Sequence, residues 1–339
     1  MNAAVAAERL GLGEDVRAWL AEAEGLADPA RPLDLPSGAR AERVWDLFAL
    51  EPEDRAEVAR LWPGPQGQGW PEEAWYVAVC MYRRLCADAD LPVGRWQDWP
   101  ALVEAGDPRV RMAALVAFAA MVEAQYEAHA ALGVDPSVTG ATLADVGVQM
   151  ARSRRMFGRL SLETASWVAV QFRGGLYWVG GLQLEPNVLG EQGEVEWYPP
   201  QEARELGPGM GVGDPVLRLH IPNKGLDPAS VDDALARARG FARAHLGCDP
   251  VVATCTSWLL DPQWAQVLGP DSNIVAFGRR FTLVGKGQPG ESDVFRFVFG
   301  MARVDVEAAS RRTRLERAVV DRLRAGDRWW VRTGWLPLA

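Results

Sequence analysis

PVLRLHIPNKGLDPASVDDALARARGFARAHLGCDPVVATCTSW, residues 215–258, reads as strand, helix and strand in one unbroken run. In its first part Leu217, Leu219 and Ile221 fall on one face of an extended chain and Arg218 and His220 on the other. The middle changes period. From Pro228 to Leu246, Val231, Leu235, Ala238 and Phe241/Ala242 line one helical seam, and Gly247 closes it. VVATCTSW then returns to a strand rich in β-branched residues.

Outward from this core the pattern extends in both directions. Upstream, ASWVAVQFR and LYWVGGLQLE read as two strands about Gly174-Gly175, a short-hairpin signal. The GPGMGVGD stretch between them and the core is glycine-rich, but a strand rather than a helix follows it, so a dinucleotide-binding loop fails on context. Downstream come a short helix (LDPQWAQVLG), strands NIVAFGRRFTLV and DVFRFVFG, a helix ending RLERAVVDRLRAG, and a last strand RWWVRTGWLPL. Residues 156–339 are thus expected to form a mixed α/β sheet flanked by helices. Residues 1–155 read differently. PEEAWYVAVCMYRRLC and DPRVRMAALVAFAAMVEAQYEAHAALG carry helical periodicity and no strand alternation. The expected class is α+β in two domains, a helical one at 1–155 and the sheet domain at 156–339.

Composition narrows the function. The chain has 339 residues, enough for two domains, and a formal charge of −9, which argues against a nucleic-acid partner. Its only lysines are Lys224 and Lys286. No charged-then-apolar leader opens the sequence, and Met112–Val122, the longest apolar run, is far short of the ~20 residues a membrane span requires. Cys80, Cys86, Cys248 and Cys255 have no metal-type spacing, so free thiols in a reducing cytoplasm and no metal are expected.

Several strings carry a resemblance. LHIP (219–222), CTSWLLDP (255–262), SNI (272–274), RLERAVVDRLRAG (314–326) and GGLQLE (180–185) resemble a bacterial acyltransferase family. In that family a helical N-terminal domain precedes a C-terminal domain like the GCN5-related N-acetyltransferases (GNAT). In GGLQLE, Gly181 stands where the family usually has arginine. The resemblance implies a cleft between splayed strands, an acyl-CoA or acyl-carrier-protein thioester as co-substrate, and a small-molecule amine acceptor. The usual phosphate-holding loop is reduced to IPNKGLDPAS, so Ile221, Asn223, Lys224 and Gly225 are the donor-binding candidates, with Asn273 from the SNI string. The acidic residues Asp227, Asp232 and Asp233 favour the helix dipole but oppose a phosphate.

Acyl transfer to an amine requires a base for the acceptor proton and a donor for the departing thiolate. His220 and Glu185 are the base candidates, Ser257 the donor, and Cys255 a candidate covalent carrier. Three functions stay open: an N-acyltransferase working by direct attack, a covalent acyltransferase through Cys255, and an inactive module that binds a thioester or carrier protein. The cluster Arg152, Arg154, Arg155 and Arg159 is either a phosphate attractor or a solvated helix end.

Overall fold

A computed structural model describes residues 1–89, 91, 98–190, 194, 196–222 and 225–339. The chain divides into two compact units, Met1–Leu176 and Tyr177–Ala339.

The first unit is helical. The helices Glu72–Asp88 and Ala113–Ala131 pack against each other at its centre, and Ala113–Ala119 is buried on every side. That explains its run of small and apolar residues. Among the described residues no helix is long and apolar enough to cross a membrane. The unit continues past position 155, because the expected strand ASWVAVQFR is a helix, Ala165–Gln171. Ala165, Val168, Ala169 and Phe172 are buried with helical spacing, and Gly174 and Gly175 donate to Gln171 and Val170, closing the helix rather than turning a hairpin.

The second unit is built on a six-stranded sheet: β1 (Tyr177–Val179), β2 (Leu182–Val188), β3 (Pro215–His220), β4 (Val252–Ser257), β5 (Thr282–Pro289) and β6 (Trp330–Pro337). Their order is β1-β2-β3-β4-β6-β5. The hairpin turn lies at Gly180-Gly181, where Gly180 has φ +60°. The helix Pro228–Phe241 joins β3 to β4 as a crossover, and these two strands are the sheet's parallel pair.

Two further expected strands are also helices. NIVAFG forms Asn273–Gly278, and DVFRFVFG forms Glu291–Val294 followed by a π turn, Phe295–Phe299. Val294, Phe295, Val298 and Phe299 repeat at helical intervals and pack with Val275 against Trp258, Trp264 and Trp329. Trp264 stacks on Trp329 with ring centroids 3.7 Å apart. These tryptophans are core anchors.

Candidate active site

β3 and β4 pair through only two positions, Leu217 with Ala253 and Arg218 with Thr254. β3 runs on to His220 and β4 to Ser257, each paired on its outer side, with β2 and β6 respectively. The two inner edges therefore separate at Arg218/Thr254. What fixes that point is a buried carboxylate. Glu194, from the loop after β2, accepts from Arg218 Nε at 2.8 Å, from Arg218 Nη2 at 2.7 Å and from Thr254 Oγ1 at 2.8 Å. One side chain so ties the last paired residues of both strands, and its charge is met by a bidentate guanidinium, which such burial demands. The loop itself has no periodicity, so nothing in the sequence singled out Glu194.

The candidate base lies just beyond this tie. His220 Nε2 stands 2.7 Å from Glu185 Oε2. The β2–β3 register sets Glu185 opposite Arg218 and Gln183 opposite His220, so Glu185 reaches diagonally to the imidazole. Burial pushes the Glu185 carboxyl up. The hydrogen bond and charge of His220, with Arg218 and Asn187, more than offset this and hold it below the usual carboxylate range. Glu185 is thus an ionised acceptor, and the ring proton that bonds it is the one on His220 Nε2. The two base candidates are thus hydrogen-bonded to each other, Glu185 accepting from His220.

The other candidates are placed elsewhere. Cys255 is buried on the opposite face of the sheet, because Thr254 shares the face of Arg218 and alternation turns Cys255 away. Burial alone pushes its thiol up to about 12, so it carries no thiolate near neutrality. Ser257 shares that opposite face, and its Oγ accepts from Leu259 N–H at 3.1 Å, capping the turn Trp258–Leu260. Neither joins His220. Asn273 is exposed at the start of the Asn273–Gly278 helix, not in a strand.

On the donor side, Ile221 is half-buried directly after β3, and Gly225 is exposed with φ +89°. Asn223 and Lys224 lie outside the described residues. Asp227 caps the crossover helix by accepting from Ser230 N–H at 2.8 Å, and Asp232 and Asp233 pair with Arg280 and Arg237. Those three acids are occupied by the protein's own donors. Arg154, from the candidate phosphate cluster, is held by Glu53, Asp54 and Glu57 and is not available to a ligand's phosphates. Among the described residues no three His, Cys, Asp or Glu side chains come together as a metal site.

Comparison with known proteins follows the same division. A model described as an N-acyltransferase N-terminal domain matches residues 39–174, and one described as a GNAT-like C-terminal domain matches residues 176–336. Among solved structures, an acyltransferase in complex with decanoyl-CoA and teicoplanin is similar over the whole of both chains, at 30% identity and a TM-score of 0.85. An acyltransferase mutant in complex with octanoyl-CoA, and an acyltransferase with CoA and 10C-teicoplanin, are similar over the same extent, each at 29% identity and a TM-score of 0.85. No curated protein matches. The chain belongs to the acyltransferase family that joins an N-acyltransferase N-terminal domain to a GNAT-like C-terminal domain.

Proposed function

We propose that the protein transfers an acyl group from acyl-CoA to an amine of a small-molecule acceptor by direct attack. The observation that carries this reading is the His220–Glu185 pair at the end of β3, just beyond the residues where β3 and β4 part. The donor is inferred from the acyl-CoA and CoA complexes of the similar structures, and a teicoplanin-like amine is the first acceptor to test. Ile221 and Gly225, with Asn223 and Lys224, are proposed to border the donor, and nothing in the comparisons favours a carrier protein in its place.

In this scheme the amine nitrogen forms a bond to the thioester carbonyl carbon as the carbon–sulfur bond breaks. The His220 imidazole takes the proton that the nitrogen loses, and the departing coenzyme A thiolate takes a proton from water. Glu185 holds the ring and stabilises the imidazolium while it carries that proton. Diverging strand edges offer backbone groups to the developing oxyanion without requiring any metal or covalent carrier.

The test is incubation with decanoyl-CoA and teicoplanin, reading free-thiol release and product mass. Wild type and Cys255→Ser should transfer one decanoyl group at similar rates. His220→Ala should bind decanoyl-CoA normally by calorimetry and lose ~10²- to 10⁴-fold in turnover. Mass added to Cys255 with donor alone would overturn direct attack. Decanoyl-CoA binding that never turns over across a panel of amines, and across carrier-protein donors, would leave a binding module.

A further inference from the structure

On the polar face of the sheet, Gln183 is a buried side chain that the base and its supports do not use. Gln183 is opposite His220 on β2 and two residues from Glu185, so all three share a face. It is only 3% exposed, yet its side-chain Nε2 has no hydrogen-bond partner. Its neighbours on that face are engaged. Glu185 is bonded to His220, Arg218 and Asn187, while Arg218 and Thr254 are bonded to Glu194. On the far side, Trp178 of β1 is buried opposite Gln183 and gives its own N–H to Gly180 O at 3.0 Å.

Buried amide groups in folded proteins are nearly always bonded, and one left unmade costs stability. A site that leaves a donor unmade beside its base is matched to a ligand that brings the acceptor. We propose that Gln183 selects the acyl acceptor, donating its side-chain N–H to an oxygen that the acceptor carries close to the amine deprotonated by His220. This rests on the amine-acceptor reading above. The spacing supports a nearby oxygen: side chains opposite each other on paired strands stand about 5 Å apart at Cβ, so their polar ends can converge on neighbouring groups of one ligand. His220, 30% exposed, is the most exposed side chain of the row and marks the side from which the acceptor arrives. Selection of this kind is strong because an acceptor without the oxygen leaves the buried donor unpaired.

Gln183→Met keeps the shape and removes the donor. With decanoyl-CoA and teicoplanin, the acceptor KM should rise roughly 3- to 10-fold, as for one neutral hydrogen bond. Turnover, decanoyl-CoA affinity and the pH profile of kcat should stay as in wild type. The free protein should melt at the wild-type temperature or above it, since a buried unpaired amide has been removed. A lower melting temperature for Gln183→Met would mean the amide is partnered in the free protein and overturns the proposal. So would an unchanged KM, and so would a displaced pH profile, which marks action through His220. If wild type transfers nothing to teicoplanin, the amine-acceptor reading fails on its own. Calorimetric teicoplanin binding then decides for Gln183: a 3- to 10-fold weakening in Gln183→Met sustains it, and equal or absent binding ends it.

Discussion

In the proposed mechanism His220 depends on the carboxylate beside it. An ionised Glu185 can only accept, so the ring proton stays on Nε2. Glu185→Gln reverses this, because an amide can donate to Nε2 and leave the proton on Nδ1. Expected is a loss of about 10²-fold or more in kcat, with decanoyl-CoA binding unchanged, read by steady-state kinetics beside calorimetry. An unaltered kcat would remove Glu185 from the mechanism. Alternation alone puts Arg218 and His220 of LRLH on one face, whereas the bond between His220 and Glu185, which ends GGLQLE, depends on the β2–β3 register. Alternation in VVATCTSW puts Cys255 and Ser257 on one face. Which face that is depends on the Arg218–Thr254 pairing, a contact between distant parts of the chain that local spacing does not encode. Glu194 and the unpartnered Gln183 depend on such contacts too.

At the scale of elements, short apolar runs were the weak point. ASWVAVQFR, NIVAFG and DVFRFVFG are too short for periodicity to separate strand from helix, and their β-branched and aromatic residues favour the strand reading. Tertiary contacts decide otherwise: Trp167 and Gln171, one helical turn apart, both donate to the buried Asp145. The Gly-Gly hairpin was a sound signal assigned to the wrong pair of glycines. Gly180-Gly181 turns the chain, and Gly181 is required for a second reason. A Cβ there would lie 2.7 Å from Ser230 Oγ and 2.9 Å from the Ser230 carbonyl carbon, so the first turn of the crossover helix rests directly on it. This close approach accounts for glycine where relatives are expected to carry arginine. Gly181→Ala should push that turn away and cost about 1–3 kcal/mol in denaturant unfolding. Wild-type stability in this variant would show that the helix shifts at no cost and that Gly181 has no packing role.

Over the whole molecule the two-part organisation was readable from the change of hydrophobic period, whereas its boundary was not. The helix Ala165–Gln171 resembles a strand locally but is held by the helical unit through Asp145 and through Gln125, whose Nε2 donates to Gln171 O at 2.9 Å. The same buried network gives that unit its own acid sensitivity. His129 is 1% exposed, bonded to the neutral side chains of Gln125 and Thr139, and burial lowers its pKa from 6.5 to about 4. With the folded value below the unfolded one, the unfolded chain binds the extra proton between those limits. Stability therefore falls as pH drops from about 6.5 to about 4, and the full depression is worth roughly 3 kcal/mol. Asp145, raised above 3.8 mainly by burial, acts in the opposite sense, favouring the folded state as its carboxyl is protonated. The two are separable by substitution. His129→Gln should lower stability at pH 7 by loss of its buried hydrogen bonds, yet flatten the dependence of the helical unit's melting temperature between pH 4.5 and 6.5. Thermal scans of wild type and variant across that range read the difference. Parallel curves would assign the acid sensitivity to other groups and leave His129 a neutral packing residue.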